Sequence, residues 1–208
     1  MKVLITGSHG FIGTHLTREL SHRNHTVFGI DLIHGEAQAT FAMRGDTDAP
    51  TYARCNISEY RELERVLTLW HPEIVYNCAG EFGRWNGEDR YEDLWRVNVI
   101  GLKHLLRLQE RDRFRLVHCS SSEVYGDWPD VMREDVLAHH PIQQLSDYAM
   151  TKAVNEQQIR NSMRQFGTET VIVRPFNFYG PGEAYSPYRS ANCRFLYCAL
   201  KGIPFTVY

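Results

Sequence analysis

The sequence predicts an α/β protein built on a doubly wound parallel sheet of the Rossmann type. Three observations predict it. Short β-branched apolar runs alternate with longer stretches whose apolar residues recur at helical spacing. Strands separated by helices pair in parallel, covered on both faces and joined by right-handed crossovers. A glycine-spaced turn, Thr6-Gly7-Ser8-His9-Gly10-Phe11-Ile12-Gly13, links the first apolar run to the first helical stretch.

Taken in order, Lys2–Thr6 reads as a buried strand and Phe11–Ser21 as the helix that follows the turn. His25–Ile30 is the second strand and Thr51–Cys55 a weaker third. Ser58 is placed to cap a helix reaching about Trp70, because Leu63, Val66, Leu67 and Trp70 share one face. Glu73–Asn77 is the fourth strand. Glu81–Asp93, with Arg84, Trp85 and Arg90, reads as a long polar-aromatic loop. Asp93–Arg111 is one long helix with Leu94, Val97, Leu102, Leu105 and Leu106 apolar. Phe114–Ser120, Asp147–Phe166 and Thr168–Arg174 complete the pattern as strand, helix and strand. From Pro175 onward Gly180, Pro181, Gly182 and Pro187 break regular structure. A short helix over Asn192–Lys201 and the start of a strand over Ile203–Tyr208 follow, and the lack of a partner after that strand predicts a longer parent chain.

Composition excludes several classes. The 208 residues carry 23 Lys plus Arg against 25 Asp plus Glu, a formal charge of -2, so the basic excess of a non-specific nucleic-acid binder is missing. Cys55, Cys78, Cys119, Cys193 and Cys198 form no CxxC pair and no zinc spacing, and they read as reduced thiols of a cytoplasmic protein. His139-His140 before Pro141 reads as a solvated loop rather than a metal site. The start, Met-Lys-Val-Leu-Ile-Thr-Gly, lacks the apolar core of a signal peptide. No apolar stretch approaches the roughly 20 residues that cross a bilayer, so no membrane partner is expected.

The glycine turn points to a dinucleotide. Gly7 permits the tight turn, Gly10 lets a pyrophosphate approach the backbone, and Gly13 allows close helix packing. Backbone N–H groups of His9, Phe11 and Ile12 at a helix start favour the negative phosphate. Asp31 closes the second strand, where a carboxylate accepts both ribose hydroxyls of the adenosine and repels a 2′-phosphate. That favours NAD over NADP. No Arg follows Asp31 directly, and the nearest basic residue downstream is His34. Farther along, Tyr148 and Lys152 lie four apart on a helix and so share a face. A neighbouring ammonium stabilises a phenolate, which would let Tyr148 act as a general base.

Four segments together resemble one family: TGSHGFIG at the start, CSSSEVYG after the fifth strand, YAMTK on the long helix, and RPFNFYGPGE near its end. They are similar to extended short-chain dehydrogenase/reductases, and more narrowly to the NAD-dependent nucleotide-sugar epimerase/dehydratase family. The resemblance runs from Met1 to Tyr208. It implies an NAD-binding domain with a catalytic Ser/Tyr/Lys set over 1–175 and the beginning of a substrate-binding region over 176–208.

The resemblance also assigns roles. Ser121 matches the catalytic serine that hydrogen-bonds the sugar O4, with Ser122 as its neighbouring candidate for substrate. Tyr148 would take the O4 proton, and Lys152 would hold the tyrosinate and the nicotinamide ribose. Cys78, Ala79 and Gly80 fall where the family lines the cofactor's ribose side, and Asn98, counted with the residues around the cofactor, matches a helix Asn that supports the active-site geometry. Asn56-Ile57 replaces an Asp-hydrophobic pair that reads adenine; its amide oxygen would accept without charge. Pro175 and Asn177 match positions near the nicotinamide and the substrate diphosphate. Arg174 reads equally as a phosphate ligand and as a structural residue, while Tyr125 and Phe178-Tyr179 read as packing aromatics.

Glu123 bears on the reaction. Dehydratases and decarboxylases of the family often carry an acid there, in Thr-Asp-Glu or Thr-Ser-Glu, and epimerases often lack it. The run here is Ser-Ser-Glu, so the Asp is missing, and Glu123 reads either as an acid that deprotonates C5 or as a structural carboxylate. The implied activity is NAD-dependent modification of a nucleoside-diphosphate sugar through a transient C4 ketone, by 4-epimerisation, dehydration or decarboxylation. A reductase of a 4-keto sugar nucleotide and a non-catalytic NAD-binding protein are the alternatives. Homodimerisation through the long helices is expected.

Overall fold

The computed structural model describes residues 1–33, 51–186 and 190–205, with the side chains of 51 and 84–86 left out. Six strands form one parallel sheet: β1 (Lys2–Thr6), β2 (Thr26–Asp31), β3 (Thr51–Arg54), β4 (Ile74–Asn77), β5 (Arg115–Cys119) and β6 (Thr170–Val173). Their order is β3-β2-β1-β4-β5-β6. The chain reverses its direction of travel between β1 and β4, and ligands of such sheets bind at the carboxyl ends of the strands at that switch.

Strand alternation divides the core. Leu4, Val75 and Leu116 point to one face, where they pack with Leu63 and Leu67 of α2 (Tyr60–Trp70). Ile159 of α7 (Asp147–Phe166) joins the same cluster. Helix α5 (Gly101–Asp112) adds Leu102, Leu105, Leu106 and Leu108, all at 0% exposure. Burying each such side chain is worth roughly 1.5–3 kcal/mol. Val3, Ile5 and Val27 point the other way, toward Leu16 and Leu20 of α1 (Phe11–His22). That second face is covered over β1 and β2. On β6, Val171 and Val173 remain 52% and 40% exposed, so coverage is not complete on both faces.

Several local expectations need correction. Ser58 does not cap α2; the residue before that helix is Glu59, and no side chain caps it. Instead the Ser58 N–H and hydroxyl both donate to Asn56 Oδ1, at 3.0 and 2.8 Å. The expected loop at 81–93 contains a short helix, α3 (Arg84–Asp89), and the start of α4 (Tyr91–Trp95). Buried Gly87 lets that segment close on its neighbours: a Cβ there would lie 3.0 Å from Leu94 and 3.6 Å from the Tyr148 Cβ.

The long helix is not uniform. Between α4 and α5 it widens to a π-turn over Arg96–Ile100. Side chains of α7 meet the carbonyls there: Asn155 Nδ2 donates to Asn98 O at 3.0 Å and Gln158 Nε2 to Val99 O at 3.2 Å. Two further elements complete the described chain, α6 (Val136–His139) and α8 (Ala191–Lys201). His139 therefore ends a helical turn rather than lying in a loop, and His140 packs on Trp128 with ring centroids 4.6 Å apart. Residues 203–205 are not a strand; the rest of that expectation, 206–208, lies outside the described residues.

Candidate active site

A cleft of about 660 Å³ opens along the carboxyl ends of β1, β2, β4 and β5. Its first end is the glycine turn. Gly7 takes φ +68°, and Gly10 N–H closes the turn on Gly7 O at 3.0 Å. A Cβ at Gly13 would lie 2.0 Å from Gly7 O, so only glycine lets α1 start so close to the turn. A Cβ at Gly10 would meet nothing nearer than Gly7 O, at 3.2 Å. No side chain caps α1, whose first residues Phe11, Ile12 and Gly13 line the cleft. An uncapped helix start behind a bare backbone turn fits the pyrophosphate of a dinucleotide.

Asp31 stands at the end of β2 and lines the same cleft. Its Oδ2 accepts from His9 N at 3.0 Å and its Oδ1 from Leu32 N at 2.7 Å. The carboxylate thus braces the glycine turn while retaining lone pairs for ribose hydroxyls. His9 packs edge-on against Tyr52, whose hydroxyl donates to the carbonyls of Asp31 and Ile33. Burial and the Asp31 charge push the Tyr52 phenol up to about 12. His34 lies outside the described residues.

Asn56 and Ile57 also line the cleft. The two Ser58 donors use both lone pairs of Asn56 Oδ1, which leaves the amide NH2 rather than the oxygen to meet a ligand. Cys78, Ala79 and Gly80 form the wall beyond β4. Ala79 N–H donates to Thr6 Oγ1 at 3.1 Å, and a Cβ on Gly80 would crowd Asn98 Oδ1 at 2.9 Å. Asn98 itself lies off the cleft. Its Oδ1 accepts from Glu81 N, and its Nδ2 donates to Glu81 O and Thr151 Oγ1. It supports the Glu81 backbone and has both N–H bonds of its amide engaged.

At the other end, α7 carries Tyr148 and Lys152 into the cleft. Ser146 starts the helix by accepting from Ala149 N at 3.1 Å. Lys152 is 6% exposed and donates to Cys119 O at 2.8 Å. Its Nζ lies over the Tyr148 ring, 5.7 Å from the centroid. Burial pushes the Tyr148 phenol up to about 12; the Ser121 hydroxyl, hydrogen-bonded to it, pulls down, and the Glu123 charge pushes up. Burial lowers Lys152 below the ordinary lysine value. This arrangement stores a protonated phenol next to a desolvated amine. The amine side chain alone does not turn Tyr148 into a base.

Ser121 lines the cleft beside Ser120 and is the serine hydrogen-bonded to Tyr148; its Oγ accepts from Glu123 N at 3.1 Å. Ser122 is off the lining and donates its N–H to Pro175 O at 3.1 Å. Glu123 lines the cleft and accepts from Ser146 Oγ at 3.2 Å. Pro175 and Asn177 border the opening. Phe178 borders it too, and both Phe178 and Tyr179 are exposed, at 48% and 71%, so they are not packing residues. Arg174 is not among the cleft residues and commits four of its five N–H donors to Glu156, Tyr125 and the Glu134 carbonyl. The sequence reading missed Cys119, Ser120 and Glu81–Gly83 as lining residues. Strand-end position was the available signal for Cys119 and Ser120.

Comparison with known proteins agrees with this geometry. The family model for the NAD dependent epimerase/dehydratase family matches residues 3–207. Protein CapI of Staphylococcus aureus is 31% identical over 194 residues, covering 87% of this chain and 55% of that protein. The UDP-N-acetyl-alpha-D-glucosaminuronate decarboxylase of Bacillus cytotoxicus is 28% identical over 210 residues, covering 100% and 64%. Among solved structures, the UDP-glucose 4-epimerase of Thermus thermophilus in complex with NAD superposes with a TM-score of 0.82 at 26% identity, covering 100% of this chain and 65% of that one. The chain thus spans less than two thirds of the length of these relatives.

Proposed function

Because this chain belongs to the NAD dependent epimerase/dehydratase family, we propose that the protein modifies a nucleoside-diphosphate sugar through transient oxidation at C4. The observation that carries the reading is the meeting of Ser121, Tyr148 and Lys152 in one cleft with the open glycine turn. NAD, when bound, supplies a two-electron acceptor and a positive ring charge. Gly7, Gly10, Phe11, Ile12 and Gly13 would hold its pyrophosphate, and Asp31 its adenosine ribose.

Once the phenol has lost its own proton to solvent, the Tyr148 phenolate takes the proton from the sugar O4 hydroxyl, and Ser121 holds that oxygen in reach. With the phenol raised to about 12, the transfer needs positive charge in the cleft, to which the Lys152 ammonium contributes. A C4 ketone acidifies C5, and Glu123 stands in the same cleft as the carboxylate able to take that proton. That route leads to loss of water across C5–C6. A ketone that bears a C6 carboxylate loses carbon dioxide, and one that turns over and is reduced on its opposite face gives the 4-epimer.

The test is incubation of the protein with a panel of sugar nucleotides, followed by mass spectrometry and NMR. An unchanged mass with inverted C4 means epimerisation; loss of water or of carbon dioxide identifies the other branches. Stoichiometric consumption of reduced cofactor would instead establish a 4-keto reductase. Bound NAD with no product from any sugar nucleotide defeats the proposal and leaves a non-catalytic NAD-binding protein.

Two coarser expectations belong with this reading. Homodimerisation through the long helices is one, and Ile100, Met150, Met163 and Phe166 lie 47%, 38%, 40% and 41% exposed along them; light scattering that gives a monomer mass would reject it. The five cysteines form no disulfide, which suits a reducing, cytoplasmic compartment. No helix among the described residues is long and apolar enough to cross a membrane.

A further inference from the structure

Cys78 and Cys119 stand side by side at the carboxyl ends of β4 and β5, one residue beyond the register pair Asn77 and His118. Neighbouring strands run about 4.8 Å apart, inside the roughly 4.4–6.8 Å between Cα atoms that a disulfide spans. The two sulfur atoms are 3.7 Å apart. A bond of about 2.05 Å requires the two side chains to rotate so that the sulfurs close that gap. Both thiols line the cleft and both are partly exposed, so a small reagent that enters the cleft reaches them.

The surroundings make the two thiols unequal. The hydrogen bond from Cys78 holds the Cys119 thiol below its ordinary value, and the Lys152 ammonium adds to this against burial. The same hydrogen bond and burial push Cys78 up. A thiol closer to its thiolate form attacks first, and a neighbouring thiol resolves the product.

We propose that Cys78 and Cys119 form a reversible disulfide within the cofactor cleft on contact with a low-molecular-weight disulfide such as oxidised glutathione. The Cys119 thiolate attacks one sulfur of the reagent, whose S–S bond breaks and releases one thiolate. Cys78 then gives up its proton and attacks the Cys119 sulfur; the mixed disulfide breaks and a second thiolate leaves. Two electrons pass from the protein to the reagent, and the two cysteine protons end on two small thiols. The bond would tie the Ala79-Gly80 wall to the Ser120-Ser121 wall, and a dinucleotide held in the same cleft would restrict the reagent's access to both thiols.

The experiment is to incubate the purified protein with oxidised glutathione, block remaining thiols, digest, and map linked peptides by mass. The expected result is a peptide joining Cys78 to Cys119, lost again on addition of dithiothreitol, and formed at least tenfold more slowly with saturating NAD. Cys119→Ser should abolish the link, and Cys78→Ser should trap glutathione on Cys119, so either variant suffices if the other fails to fold. Overturning results are plain: Cys78 and Cys119 found unlinked after prolonged oxidation, or a link whose rate ignores NAD.

Discussion

Glu156 grips Arg174 through both carboxylate oxygens: Arg174 Nε donates to Oε1 at 2.8 Å and Nη2 to Oε2 at 2.7 Å. Glu156 is fully buried, and the Arg174 side chain is 10% exposed. Ser120, the residue before Ser121, donates its hydroxyl to the same Oε1 at 2.7 Å, and Arg174 Nη1 donates to the Tyr125 hydroxyl at 2.9 Å. One buried network thus fixes both ends of the turn that presents Ser121 and Glu123.

Removal of one partner from such a network leaves the other charge stranded in low dielectric. Glu156→Gln should lower stability by about 3–5 kcal/mol in urea titrations. Arg160 also reaches Glu156, at 2.9 Å, but its side chain is 44% exposed, so Arg160→Ala should cost no more than about 1 kcal/mol. Equal losses for the two variants would contradict this division.

Gly10 and Gly13 should fail differently. A methyl on Gly13 would sit 2.0 Å from the Gly7 carbonyl, so Gly13→Ala must push α1 off the turn. Reduced melting temperature and lost NAD binding are expected together. A methyl on Gly10 meets only Gly7 O, at 3.2 Å, and otherwise occupies the space left for phosphate. Gly10→Ala should therefore keep the melting temperature of the apoprotein within a few degrees and weaken NAD at least tenfold by calorimetry. An unchanged affinity in Gly10→Ala would show that the turn does not hold the pyrophosphate.

These two glycines were legible in the sequence because their spacing, between an apolar strand and a helix, has a local cause. The buried strand over Lys2–Thr6 was legible for a similarly local reason, an apolar run directly before the turn. The π-turn around Asn98 was not, since its carbonyls are satisfied from α7 by Asn155 and Gln158, more than fifty residues away. Ser58 and the Asn56 oxygen left their expected parts and bonded each other because a serine and an asparagine two apart both make local turns, and only geometry shows which oxygen accepts. Asn98 and Arg174 matched site positions in type; the structure spends their polar groups on the Glu81 backbone and on Glu156.

Tyr148→Phe separates chemistry from binding. The phenol is hydrogen-bonded by Ser121 and reaches the cleft, while its Cβ lies beside Gly87 and its ring beneath the Lys152 ammonium. Loss of the hydroxyl keeps the ring's packing and takes away the proton acceptor. Turnover on the responsive sugar nucleotide should fall by about 10²–10⁴-fold, with NAD affinity changed less than threefold. Full turnover in this variant would remove Tyr148 from the mechanism.

His118 predicts how stability responds to acid. Ala79 N–H occupies Thr6 Oγ1, and the Thr6 hydroxyl donates to Asn77 Oδ1 at 2.7 Å, which fixes the orientation of that amide. Asn77 Nδ2 then faces His118 Nδ1 at 3.0 Å. An amide nitrogen only donates, so Nδ1 accepts and the imidazole proton sits on Nε2, which has no partner among the described residues. A second proton would set N–H against N–H. Burial, with the Lys152 ammonium behind it, holds the ring well below its ordinary value. The unfolded chain binds a proton near pH 6.5 where the folded chain does not. This contribution is therefore full above pH 6.5 and is lost as pH falls, at up to about 1.4 kcal/mol per pH unit. His118→Gln keeps an acceptor for Asn77 and cannot titrate, so urea titrations from pH 7.5 to 5 should show a shallower decline for the variant. Parallel declines would place the acid sensitivity elsewhere.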